Sequence, residues 1–191
     1  GLVAEVAQLA QCDPAVLLRL QELADGGEAD YVPMAASVLH VADPRWRPSR
    51  DRCSYLTGAY LSAVHWEGID LSQVNLERAD LRRADLRGAN LTQARLGQAI
   101  LRESDLGGVR LVEAWAHRAD VSDADLTRAD MTRGRFMQTR LSRSVLNHVS
   151  ASDADFRSAD LRGASLRAAN LTRCDFRDAS LDGADFQDAN L

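Results

Sequence analysis

Lysine is absent from this chain of 191 residues, so all 23 of its basic side chains are arginines. Cysteine is scarce. Cys12, Cys53 and Cys174 are odd in number and widely scattered, which leaves no zinc spacing and reads as reduced, structural thiols. The four histidines, His40, His65, His117 and His148, lie at unrelated offsets and form no ligand set. There is no phosphate-binding glycine loop, no Cys–His pair at sensible spacing and no GxSxG. No signal peptide and no membrane span is recognisable, so the expected compartment is the cytoplasm. No catalytic residue, cofactor or metal site is expected, and the chain reads as a non-enzyme.

What the chain has is a period. From residue 56 to residue 191 every fifth position is apolar, from Leu56, Leu61 and Trp66 to Phe186 and Leu191, with only Ala116 and Ala151 small. The register holds over 28 consecutive units. Two residues before each apolar centre stands a small or β-branched side chain: Ser54, Ala59, Val64, then mostly alanine, with Cys174 replacing alanine by size. Many units read Ala-Asp-Leu or Ala-Asn-Leu.

Neither common element accommodates this spacing. At about 100° per residue a helix moves the apolar position by roughly 140° net per unit, which smears it around the axis. A flat strand points positions five apart to opposite faces. Both apolar positions face inward only if each unit turns a corner. Four corners close a square of about 20 residues, and seven such coils at roughly 4.8 Å each make a rod about 34 Å long.

The run resembles the pentapeptide repeat family, whose motif is a small residue, Asp or Asn, Leu or Phe, then two polar residues. The resemblance covers residues 54–191. It implies an all-β solenoid, a right-handed quadrilateral β-helix of about seven coils. A small N-terminal α-helical cap is expected on it.

Residues 1–50 lack the period, which divides the chain into 1–50 and 51–191. Leu2 to Leu9 has helical spacing. Asp13-Pro14 is an N-cap and first-turn pair leading into Ala15 to Leu23, ended by Gly26-Gly27. A third helix is expected from Tyr31 to His40, broken by Asp43-Pro44-Arg45-Trp46. These helices read as a cover for the apolar top and strand edges of the first coil. The competing reading is the tail of an upstream domain or a docking surface. The chain begins without methionine and stops at an inward position, Leu191, so it reads as a fragment of a longer polypeptide, or as one that pairs end to end with a second copy.

Asp recurs too regularly at the second position of the unit for a catalytic pair and is expected to bond turn backbone. More informative are the breaks: Arg95, Ile100, Arg110, Trp115, Arg135, Arg140 and Val145 replace the usual Asp or Asn. A residue 20 later should lie one coil on. That places Arg133 between Glu113 and Asp153, Arg140 between Asp120 and Asp160, Arg143 after Asp123, and Arg135 between Trp115 and Asp155. These are cross-strand ion pairs and a cation–π contact. Two surfaces are singled out: Ile100, Trp115, Arg135, Met137 and Val145 as a protein contact, and Asp85, Asp105 and Asp125 as an acidic face of stacked like charges. A basic counterpart is Arg82 with Arg102, Arg83 and Arg87. The last coil, with Asp175, Asp178, Asp182, Asp185 and Asp188 against Arg177, is acidic.

The family resemblance implies two functions. Some members protect gyrase, the bacterial topoisomerase, by mimicking a DNA duplex, and so confer quinolone resistance. A duplex of this length carries about 20 negative charges, whereas residues 51–191 hold 21 acids and 19 arginines. The preferred expectation is therefore a protein-binding scaffold or recognition module, as in the repeat domain of a larger signalling protein. Direct nucleic-acid binding is not expected.

Overall fold

The computed structural model describes residues 2–26, 32–43, 46–48 and 55–191. Three helices come first: α1 (Leu2–Cys12), α2 (Pro14–Gly26) and α3 (Val32–Ala42). Asp13 caps α2 as its sequence demands, its Oδ1 accepting the Ala15 N–H at 2.9 Å. Helix α3 runs to Ala42, two residues beyond expectation. Gly27, Tyr31, Pro44, Arg45 and the division at 50/51 lie outside the described residues.

From Tyr55 onward the chain makes one parallel bridge every five residues, each pairing residue i with i+20, from Tyr55 with Asn75 to Asn170 with Asn190. Twenty residues therefore make one coil with four sides, and residues 55–191 form just under seven coils. Helices precede the coils, as expected, and the expectation of an all-β solenoid needs refining in one respect: among the described residues its sheets consist of isolated bridges instead of extended strands. The reason is the length of a side. In each five-residue unit the second position alone bridges, because the apolar centre begins a turn.

That turn closes from the N–H of the small residue back to the preceding centre in nearly every unit, as in Ala59 to Leu56 at 3.1 Å. Its third residue takes a left-handed φ. Among the described residues Gly58, Gly68, Gly88 and three further glycines do so, but so do 21 non-glycine residues with φ between 54° and 63°. Left-handed φ at that position is the mark of a type II turn, where glycine is at ease and other residues are strained.

The core is a linear stack. Every apolar centre from Leu56 to Leu171 is at most 5% exposed. Polar residues at the inward small position are satisfied locally: Ser104 and Ser144 donate to the carbonyls of Leu101 and Leu141 at 2.6 Å, and Thr139 to Ala116 at 2.7 Å. Phe136, Phe156 and Phe176 stack along the axis at 5.3 and 5.2 Å. Gly134 makes room for the first of them. A Cβ there would sit 2.4 Å from the Phe136 ring.

Helix α3 seals the first coil. Where later coils bond the N–H at the second position to a carbonyl of the coil before, Tyr60 donates instead to Ser37 Oγ at 2.8 Å. His40 Nε2 donates to the Ser62 carbonyl at 2.8 Å, and the buried Trp66 indole donates to the Trp46 carbonyl at 3.0 Å. Without these partners the top of the rod would present bare ladder groups. The last coil is more open, with Phe176 and Phe186 half-buried and Leu191 75% exposed.

Candidate functional site

The outward acids are largely spent on the fold. Aspartate or asparagine at the second position accepts the N–H two residues on, as at Asp70, Asn75, Asp80, Asp85 and Asp105, at 3.0 to 3.3 Å. Where the residue after the centre is arginine, its guanidinium folds back on the same carboxylate. Arg82 grips Asp80, Arg87 Asp85, Arg157 Asp155, Arg162 Asp160 and Arg177 Asp175, all at 2.6 to 2.8 Å. Reasoning by stacking alone missed these clamps, although the recurring Asp-Leu-Arg and Asp-Phe-Arg triplets are visible in the sequence.

Of the expected rungs between coils, those reaching back to the preceding coil are present. The onward pairs of Arg133, Arg135 and Arg140 with Asp153, Asp155 and Asp160 do not form, because Arg173, Arg157 and Arg162 hold those carboxylates. Arg133 meets Glu113 at 2.9 Å, Arg140 meets Asp120 at 3.7 Å, and Arg143 chelates Asp123 at 2.7 and 2.8 Å. Asp153 is taken by Arg173 at 2.6 Å, one coil further on. Arg102 reaches Asp123 and Arg83 reaches Glu103, so the basic cluster is balanced too. These contacts hold the carboxyls of Asp85, Asp123 and Asp153 below the usual carboxylate range, chiefly through hydrogen bonds from Arg87, Arg143 and Arg173. Asp175 is held at about 2 by Arg177. Burial pushes the Cys174 thiol up to about 11, and it donates to the Ala151 carbonyl, a structural role matching its inward position.

The acidic face is less bare than its sequence implied. Asp85, Asp105 and Asp125 do stack in one ladder. Arg87, however, bridges Asp85 at 2.7 Å, Asp105 at 3.5 Å and Glu67 at 3.3 Å. An arginine two residues from Asp85 neutralises much of the column because its side chain lies across the coils. Asp125 accepts only the Thr127 N–H among the described residues.

The five apolar and basic candidates do not form one surface. Ile100 lies in the ladder of Asp80 and Asp120, Val145 in that of Asp125 and Ser165, and Trp115 with Arg135 in a third. Replacements 15 and 45 residues apart fall on different sides of a 20-residue square. Met137 is half-buried under the Arg157 guanidinium, which approaches its sulfur at 3.1 Å, and Val145 is also half-buried.

Trp115 and Arg135 do meet. The guanidinium carbon stands 4.3 Å from the ring centroid, and the indole remains 52% exposed. Beside them opens a surface cleft of about 500 Å³ lined by Gln93, Arg95, Glu113, Trp115, Arg133 and Arg135. It adjoins a second of about 360 Å³ that shares Gln93 and Arg95 and reaches Asn75 and Tyr55. Reading the 55-75-95-115-135 column as a whole would have found this extension. No cluster of metal-binding side chains is present among the described residues, and none of their helices is long and apolar enough to cross a membrane.

The model for pentapeptide repeats matches the chain in eight copies spread over residues 54–191. No curated protein matches the sequence. Among solved structures, HetL is 30% identical, with a TM-score of 0.23, matching 71% of this chain and 82% of its own. It is a pentapeptide repeat protein involved in heterocyst differentiation regulation in the cyanobacterium Nostoc sp. strain PCC 7120. Rfr23 of the cyanobacterium Cyanothece 51142 is 20% identical over 71% of this chain and 89% of its own, with a TM-score of 0.32. Full-length QnrB1, a plasmid-mediated fluoroquinolone resistance protein, is 18% identical over 65% and 78%, with a TM-score of 0.28. The repeat match and the unbroken 20-residue ladder lead to one assignment: the chain belongs to the pentapeptide repeat family, whose members fold as right-handed quadrilateral β-helices.

Proposed function

We propose that this chain is a non-catalytic recognition module, a stiff rod that presents a mixed-charge surface to a protein partner. The helices cover its first coil or join it to another part of a larger signalling protein. The observation that carries this reading is the exposed Trp115 under Arg135, opening on a cleft, on a surface whose other charges are mostly clamped in place. Tryptophan and arginine are the side chains most often responsible for affinity at protein interfaces. Selection of a random peptide library on the immobilised chain tests it. The reading expects enriched sequences whose binding is lost in Trp115→Ala, and a library that yields no enriched sequence contradicts it.

The competing reading is a DNA-mimicking gyrase binder with a role in quinolone resistance. Charge weighs against it, because residues 51–191 sum to −2 from 21 acids and 19 arginines. The Asp85–Asp105 column, its best acidic face, is bridged by Arg87. Direct nucleic-acid binding is disfavoured by the same pairing of arginines with acids, and a labelled duplex is expected to keep its mobility at low salt.

A further inference from the structure

We infer that the groove along the ladder from Tyr55 to Arg135 is built for a short, extended, acidic polypeptide segment. The inference rests on the recognition reading above and names its ligand. The argument begins with where the local carboxylates have gone. Glu113, the acid inside the cleft, accepts from Gln93 on one oxygen at 2.9 Å and pairs with Arg133 through the other at 2.9 Å. Asp155, the next residue of the ladder after Arg135, is held by Arg157 at 2.7 Å. Arg95 and Arg135 are left with no carboxylate partner among the described residues, one coil before and one coil after Trp115. Two uncompensated cations thus flank an exposed indole, on a chain where most other arginines are engaged.

The spacing suits an extended chain. Two coils separate the guanidinium-bearing residues, roughly 10 Å at about 4.8 Å per coil. Carboxylates two residues apart on an extended segment share one face and stand about 7 Å apart, a distance the long arginine side chains can meet. The methylenes of the glutamate side chains would lie beside Trp115, and Tyr55, 51% exposed, closes the far end. A longer polyanion fits less well. Beyond Arg135 the same ladder continues into Asp155 and Asp175, which would face its phosphates.

The intact chain reports on this directly, because Trp46 and Trp66 are 8% and 1% exposed and Trp115 is the accessible indole. The probe is an end-blocked Glu-Leu-Glu-Leu-Glu peptide titrated at low ionic strength while tryptophan emission is followed. The expected result is a saturable change that weakens with salt, is absent with the Gln-Leu-Gln-Leu-Gln peptide, and loses at least tenfold in affinity in Arg95→Ala/Arg135→Ala. Both side chains point outward, and Arg95→Lys/Arg135→Lys, retaining partial affinity, guards against a folding defect in the alanine pair. No change with the glutamate peptide, equal affinity for the double variant, or tighter binding of an eight-residue oligothymidylate would each overturn the inference. If library selection yields a consensus without acids that ignores both arginines, the groove is wrong while the recognition reading stands. If the library yields nothing, the recognition reading itself has failed.

Discussion

Gly134 shows how single residues tune a repeat whose average is so uniform. Its missing side chain is occupied by the Phe136 ring, so Gly134→Ala should lower stability by roughly 1–3 kcal/mol by overpacking, measured by thermal or denaturant unfolding. Phe136→Leu in the same chain should relieve most of that loss, and additive effects would show that the two do not share the space. Ala124→Leu or Ala129→Leu, at inward small positions 1% exposed, should cost a similar roughly 1–3 kcal/mol. The reverse change is available at the turns. Ala168 holds φ 54° and is exposed, so Ala168→Gly should raise stability by up to about 1 kcal/mol, the left-handed strain removed exceeding the added entropy of the unfolded chain. A lower midpoint would mean that the turn stores no such strain. The inward residues were legible from the sequence because burial enforces the five-residue period. The left-handed turns were not, because the arginines, glutamines and aspartates that occupy them carry no glycine signal.

At the scale of elements, the joint between α3 and the first coil should be sensitive to pH through His40. Burial is the main cause holding His40 below the usual histidine range, against the raising effect of its bond to Ser62. A histidine with a depressed folded pKa contributes its stability above the unfolded value, near 6.5, and loses it as pH falls through the folded value. The helical cap should therefore loosen on acidification below about pH 6.5, read as a lower amide-exchange protection factor at Tyr60. His40→Gln should remove that dependence, and an unchanged pH profile in the variant would place the switch elsewhere. The helices themselves were readable from Asp13-Pro14 and their apolar spacing. A cover on the first coil was expected from the same residues, but the contact that makes it was not legible, since it depends on one hydroxyl, Ser37, standing where a ladder carbonyl would be.

For the whole molecule, the clamps and rungs make charge a property of the fold more than of the surface. Because Asp85, Asp123, Asp153 and Asp175 all have depressed folded pKa values, that of Asp175 about 2, their stabilisation is present above about pH 4 and is lost as pH falls through the folded values. An acid titration monitored by circular dichroism should show the rod losing stability over that range. The pairs are exposed and individually weak, so the neutral-pH midpoint should fall only modestly in 1 M salt. The stacking rule predicted the rungs of Arg133, Arg140 and Arg143 from sequence. It could not predict that Arg87 would bridge the acidic column, because a long side chain's choice among three carboxylates is not encoded in spacing.

These pairings bear on function through one measurement, gyrase supercoiling in the presence of excess purified chain. A rod most of whose acids are engaged by its own arginines, and which presents Trp115, Arg95 and Arg135 beside an open cleft, should leave supercoiling unchanged. Inhibition by the wild-type chain that disappears in Asp85→Asn/Asp105→Asn/Asp125→Asn would contradict the account and make the acidic ladder its working surface.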